Sequence, residues 1–396
     1  MIPFTVEEYH GRLTQTKLRM QQKGLDVLLI TDPANMNYLS GYDGWSFYVD
    51  QMLIVSLDRV QPIWIGRKMD ANAAKVTTWL YEDNILSYPE DHIHSQERHP
   101  MEFIAGVLQQ LGLATCRIGL EMASYYFSAL AYEKLKKSLP DARFQDASLL
   151  VNHVRLIKSN QEIDYIRRAA KIAAIGMQSA ITSIQEGVRE CDAAATIFKH
   201  LISGTDEFGG DYPSIVPLLP AGKNTSTPHL TWTDRYYTEN EIVIIELAGC
   251  HRRYHAPMAR TLSLGRPSEE VTETSKILVE GLNTAIEAVK PGATCEDVEM
   301  AWRKVISKYG IEKDSRMGYS VGVGYPPDWG EHTASIRQGD QTILQPNMTF
   351  HMIPGLWFDD YGVEISETIR VTETGCEVLT EFQRELIIKD QIDIAI

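Results

Sequence analysis

Short apolar runs alternate with amphipathic stretches across residues 1–150. After a helical opening, Asp26–Ile30 (DVLLI), Gln51–Leu57 (QMLIVSL), Pro62–Gly66 (PIWIG) and Arg117–Glu121 (RIGLE) have the length and composition of strands. Met101–Leu111 and Tyr125–Leu139 keep a helical period between them. This alternation predicts a layered α/β domain. No G-x-G-x-x-G follows the first strand, so no dinucleotide-binding turn is expected.

The pattern changes near Val154–Ser159. A long amphipathic helix is predicted over Asn160–Ser183 and another over Asp192–Ser203, followed by a loop rich in Pro, Gly and Thr at Gly204–Asp234. Ile242–Leu247 reads as a buried strand and Arg252–Leu264 as its hairpin partner. Helices over Glu269–Val289 and Cys295–Tyr309, a Gly-rich segment, and strands over Met348–Ile353 and Val363–Val371 complete the order. Strands, paired helices and strands again predict an α+β fold, with domains at residues 1–154 and 155–396.

Composition narrows the function. A chain of 396 residues with 44% hydrophobic positions can build two cores. A net charge of −15 argues against a nucleic-acid groove and suits an enzyme that attracts cationic groups. The five cysteines are odd in number and form no C-x-x-C, which predicts reduced thiols in a cytoplasmic protein. The N-terminal MIPFTVEEYHGRL has no signal-peptide pattern, and no run approaches the roughly 18 apolar residues of a membrane span, so no membrane partner is expected.

Few residues stand out as chemistry. His251 and His255 would share one face of a strand, but Arg252 and Arg253 between them would repel a cation, so exposed hairpin positions are the plainer expectation. His92 and His94 sit with Glu97 and His99 in a polar loop, and no H-E-x-x-H or zinc-type spacing occurs. Glu246 is the one charge in the apolar run IVIIELAG. A carboxylate there is either structural, for example paired with Arg260, or catalytic. His229, in TSTPHLTW, is a second candidate.

The segments VRLIKSNQEIDYIRRAAKIA, AGKNTSTPH, EIVIIELAG, YHAPMARTLSLG, GYSVGVG, QPNMTFHMIPGLW and GVEISETIRVTETG follow one another in an order that resembles the pita-bread domain of creatinase- and methionine-aminopeptidase-like hydrolases. NMNYLSGYDG resembles the first domain of creatinase and prolidase. The resemblance covers essentially the whole chain. It implies a smaller α/β domain followed by a pita-bread domain. Metal-dependent members hold two ions with two Asp, one His and two Glu. Those positions correspond here to Glu246, Pro257, Tyr319, Ile353 and Ser366, so the resemblance implies a metal-free enzyme without a cofactor. Creatinase is such an enzyme, but the glutamate it carries before the hairpin Arg-Thr is Ala259 here.

The resemblance is to a metal-free branch that opens a small cyclic amidine bearing a carboxylate. It implies Glu246 as nucleophile or general base, His229 as proton shuttle and Tyr319 as a donor to the intermediate. Trp45, Phe47, Trp329 and Trp357 are candidate aromatic walls for the cation, and Glu331, Glu364 and Glu367 are further carboxylates for the substrate. A homodimer is expected, with the Tyr42–Tyr48 segment reaching the partner's site. The alternatives are a hydrolase of another amidine or guanidino compound, a metal-dependent Xaa-Pro peptidase, and a binding module without activity.

Overall fold

The structure is a computed structural model and describes residues 2–389. Its internal contacts divide the chain after Arg155. The first unit carries one six-stranded sheet: β1 (Val27–Ile30), β2 (Met52–Ser56), β3 (Ile63–Arg67), β4 (Ile85–Tyr88), β5 (Arg117–Leu120) and β6 (Arg143–Asp146), in the order β4-β3-β2-β1-β5-β6. β2 runs antiparallel to both neighbours, and the remaining pairs are parallel. The helix expected from Tyr125 begins instead at Ala129, because Ser128 caps it by accepting the Ala131 N–H.

The second unit is built on a long hairpin, β7 (Ile242–His251) and β8 (Tyr254–Leu264). Every residue of both strands is buried. Beyond them come β9 (Gly318–Tyr325), β10 (Asp328–Ile336), β11 (Thr349–Met352), β12 (Leu356–Trp357), β13 (Gly362–Val363), β14 (Glu367–Val371), β15 (Cys376–Val378) and β16 (Ile387–Lys389). The main path is β15-β14-β11-β9-β8-β16, with β7 on β8 and β10 on β9. Apart from the parallel pair β16–β8, these pairs are antiparallel, as an α+β fold requires.

Helices cover the sheet because the sequence supplies their ends and their apolar faces. Ser159 and Glu162 form a capping box that starts the helix Asn160–Ser183. Its Ile172, Ala173 and Met177 pack with Ile197 and Leu201 of the next helix onto Val243, Ile245 and Leu247 of β7. Leu278, Leu282 and Trp302, from the later helix pair Glu269–Ala288 and Cys295–Ile306, build a second core with Phe350, Ile365 and Ile369.

Three local expectations change. The Gly-rich segment is the buried strand β9, because an added Cβ at Gly322 would overlap Glu331 Oε1 and press on Lys158. The strand expected over Val363–Val371 is interrupted: Glu364 N bonds to Thr261 Oγ1 (2.8 Å) and Ser366 N to Ala259 O (3.0 Å). Arg252 and Arg253 form the hairpin turn itself, both at positive φ (52° and 66°), as a two-residue turn matched to strand twist demands. No helix among the described residues is long and apolar enough to cross a membrane.

At Gly249 the helix Asn160–Ser183 lies directly on β7, and an added Cβ would overlap the Ala169 carbonyl oxygen. Gly249→Ala should therefore cost about 1–3 kcal/mol or more. A urea midpoint lowered at unchanged slope is the expected result. An unchanged midpoint would mean that the helix can step aside at no cost.

Candidate active site

Alternation along β7 decides which side chains reach the site. Val243, Ile245 and Leu247 face the helices, so Glu246 and Ala248 face the opposite side. There Ala248 packs with Val321 of β9 and Trp329 of β10. The outer edge of β7 is closed by an extended segment: Leu218 and Glu246 exchange both backbone hydrogen bonds, at 2.8 and 3.0 Å. Glu246 is thus fixed by its backbone on both sides and is only 5% exposed.

Its side chain makes no hydrogen bond to protein among the described residues. Burial and the nearby Asp328 raise its carboxyl to about 8. Glu364 is fully buried, and neither of its oxygens has a hydrogen-bond partner. Burial and the charge of Glu246 raise its carboxyl well above the usual range, against the pull of Lys313. Burial also works against ionisation of Asp328, yet bonds from His332 (2.7 Å) and Gly330 N (2.8 Å) keep it below the usual range. The site thus pushes Glu246 and Glu364 toward their protonated forms and Asp328 toward its ionised form.

Facing them is a set of neutral hydrogen-bonding groups. Trp329 Nε1 donates to Tyr319 Oη (2.9 Å), and His351 Nδ1 lies 3.1 Å from the same oxygen. His351 Nε2 is 2.7 Å from Ser366 Oγ, which accepts the Ala259 N–H at 2.7 Å. Burial pushes the His351 imidazole down to about 3, with help from Arg316. The Tyr319 phenol is raised far above its ordinary value by burial and by Glu246. Arg316 itself is exposed, and its guanidinium sits 4.3 Å over the Tyr319 ring.

Several candidates lie elsewhere. Arg260 does not meet Glu246. It opposes Ile245 in the ladder, hence points to the other face, and binds Glu367 at 2.7 Å. Glu367 is also held by Arg384 (3.0 Å) and Thr380, and Glu331 forms a buried pair with Lys158 (2.6 Å). Both carboxylates have structural partners. His251 and His255 lie on different strands on either side of the turn, and both are buried. His255 Nε2 accepts the Ser214 N–H at 2.9 Å.

His229 is exposed on its loop, which returns to β7 through the bond from Leu219 N to Leu230 O (3.1 Å). Trp45 is exposed in the first unit, with its ring 4.8 Å from that of Phe47 and tilted 50° to it. Trp357 carries the ammonium of Lys313 4.4 Å over its ring. Sequence reasoning passed over Lys313, Arg316, Asp328 and His351. Only His351 left a trace, as a polar residue inside the apolar MTFHMI.

Residues 164–373 match metallopeptidase family M24, and residues 12–157 match the creatinase/prolidase N-terminal domain. The chain belongs to family M24. It is 48% identical to the ectoine hydrolase of Halomonas elongata, over 98% of this chain and 99% of that one. It is 45% identical to an uncharacterized hydrolase/peptidase of Sinorhizobium fredii, over 98% and 100%. Among solved structures, a dipeptidase from Pyrococcus horikoshii superposes with a TM-score of 0.80 at 25% identity, over 96% of this chain and all of that one. The fold is the pita-bread fold of the prolidases.

The metal ions of family members do not fit the residues present. Pro257 and Ile353 offer no donor atom, while the oxygens of Tyr319 and Ser366 are engaged with Trp329, His351 and Ala259 N. Among the described residues, no group of three or more His, Cys, Asp or Glu is arranged to hold a metal.

The raised carboxyl of Glu246 has a measurable consequence. In the free folded chain it stays protonated up to about 8, against 4.5 for an ordinary glutamate. The folded state binds the extra proton across that window. The resulting stability is complete below the lower value and is lost as pH rises through the upper one. Glu246→Gln is neutral throughout, so its melting temperature relative to wild type should climb across the same window. Parallel curves would show that Glu246 ionises normally.

Proposed function

We propose that this protein hydrolyses the cyclic amidine of ectoine without a metal ion, opening the ring to an N-acetyl-2,4-diaminobutyrate. The observation that carries this reading is Glu246: a buried carboxylate without a protein hydrogen bond, on a rigid strand, beside two further acids. Such a site suits a cationic, planar substrate better than a peptide. The full-length similarity to the ectoine hydrolase of Halomonas elongata supports the same conclusion. The substrate's own positive charge makes its amidine carbon electrophilic, which is the role a Lewis acid has in the metal-dependent relatives.

The amidinium favours the ionised form of Glu246 when it binds. Glu246 then either takes a proton from the attacking water or adds to the amidine carbon itself, to be released by water in a second step. In both routes a water oxygen ends on the acetyl carbon, one ring C–N bond breaks, and the departing nitrogen takes up a proton. His229 supplies that proton from its loop. Tyr319 donates to the intermediate, and Trp329 and Trp357 are aromatic walls. Glu364, held protonated, donates rather than accepts, and Arg316 meets the substrate carboxylate. A substrate-derived mass increase on Glu246 in rapidly quenched turnover mixtures would mark the covalent route.

The protein acts as a homodimer in the cytoplasm on this reading. The exposed aromatic segment around Trp45 and Tyr48, 59% and 61% accessible, supports a contact with a partner chain. Light scattering at working concentration should give twice the 44.7 kDa chain mass. A monomer would remove this part of the proposal.

Turnover of ectoine, followed by release of the acetylated diamino acid, tests the reaction directly. Exhaustive EDTA treatment should leave the rate unchanged. Glu246→Gln should lower kcat by about 10³-fold or more, and His229→Ala by roughly 10²-fold or more, with circular dichroism unchanged. Hydrolysis of an Xaa-Pro dipeptide that is lost with EDTA and restored by Mn²⁺ would replace this reading with a metallopeptidase.

A further inference from the structure

The chain Trp329–Tyr319–His351–Ser366 has a proton order that hydrogen-bond counting and burial together determine. An indole N–H can only donate, so Trp329 occupies one lone pair of Tyr319 Oη at 2.9 Å. Ser366 Oγ accepts from Ala259 N at 2.7 Å and therefore keeps its own hydrogen to donate. Between these two oxygens lies His351, fully buried, at 3.1 Å from Tyr319 and 2.7 Å from Ser366. With no carboxylate bonded to it, the imidazole is neutral and carries one proton.

Two arrangements satisfy the geometry. With the proton on Nε2, His351 donates to Ser366, which then accepts twice. The Ser366 hydroxyl hydrogen is left with no acceptor among the described residues, at a cost of about 1–3 kcal/mol. With the proton on Nδ1, Ser366 donates to Nε2 and His351 donates to Tyr319. One hydroxyl hydrogen lacks a protein acceptor among the described residues in either arrangement, that of Ser366 in the first and that of the phenol in the second; Ser366 is fully buried and Tyr319 only half-buried, so the second costs less. Tyr319 Oη then accepts two hydrogen bonds, and its own hydrogen is left to turn into the site, where the Tyr319 ring packs against Ala248, Val321 and Trp329.

We propose that His351 is a positioning residue: held by Ser366 as the Nδ1–H tautomer, it makes Tyr319 an obligatory hydrogen-bond donor toward the reacting centre beside Glu246. This rests on the ring-opening reading of the site. In that reaction the addition of water to the amidinium carbon turns the departing ring nitrogen into an amine whose new lone pair accepts a hydrogen bond. A phenol donor aimed at it stabilises the transition state without being ionised itself. The donor set takes the place of a metal ion at positions where the family's ligands are replaced by Tyr319 and Ser366.

Two measurements test it. Nitrogen-15 NMR of the full chain labelled in histidine reads the tautomer without any substrate, with the His351 signal assigned from its loss in His351→Gln or its shift in Ser366→Ala. Protonated Nδ1 and bare Nε2 are expected; the opposite tautomer or an imidazolium overturns the proposal, whether or not ectoine is the substrate. The second measurement is a double-mutant cycle on kcat. Tyr319→Phe should cost about 10²-fold, and His351→Gln about tenfold at a KM within about twofold of wild type. In the Tyr319→Phe background His351→Gln should cost less than about twofold, because its effect passes through the phenol. Equal losses in the two backgrounds would show that His351 acts elsewhere. Should His351→Gln fail to fold, Ser366→Ala, which frees the tautomer, is expected to show the same dependence on Tyr319, and independence would overturn the idea equally.

Discussion

A carboxyl group buried away from water has to be held by something other than water. In this protein the holder is the ladder of β7. The strand pairs with β8 along its full length on one edge and with the Leu218 segment on the other, so the backbone around Glu246 has no freedom to relax. The helix Asn160–Ser183 presses on the opposite face closely enough to demand glycine at position 249. A charge introduced into so rigid and dry a place cannot find its own solvation, and neutralisation or an arriving cation is what remains to it. The raised carboxyl of Glu364 and the raised phenol of Tyr319 have the same cause, burial.

The family resemblance makes the replacement at the centre informative. On the reading proposed for the site, Glu246 stands at a former ligand position, and beside it the chain places a phenol, an imidazole and a hydroxyl joined by hydrogen bonds. These groups are linked to one another by hydrogen bonds, which leaves the phenol hydrogen of Tyr319 for the substrate. The net result is a pocket whose polarity is set by hydrogen-bond direction rather than by ionic charge, with Arg316 as the cation stacked on its Tyr319 edge.

Much of this was legible along the chain. The lone charge of Glu246 in an apolar run marked itself, as did the hairpin, the capped helices and the order of motifs behind the α+β assignment. What escaped did so for physical reasons. β9 was hidden because its glycines look like a loop until the buried Lys158–Glu331 pair beside Gly322 explains them. Arg260 was matched to the wrong acid because cross-strand register, and not sequence distance, decides which face a side chain takes. Asp328, His351 and Arg316 carry no periodic signature. They come from separate segments and acquire meaning only where the sheet brings them together.

The pair between Lys158 and Glu331 reaches beyond the site itself. Lys158 stands at the threshold of the second unit, two residues before its first helix, while Glu331 belongs to β10, deep in the sheet. The ammonium also donates to Leu156 O, so it is bound on both sides into the interior. The connecting segment is thereby part of the catalytic unit's core rather than a tether. Any attempt to excise that unit for separate expression must begin upstream of Lys158, since a cut made after it would strand Glu331 as a buried anion without its counterion.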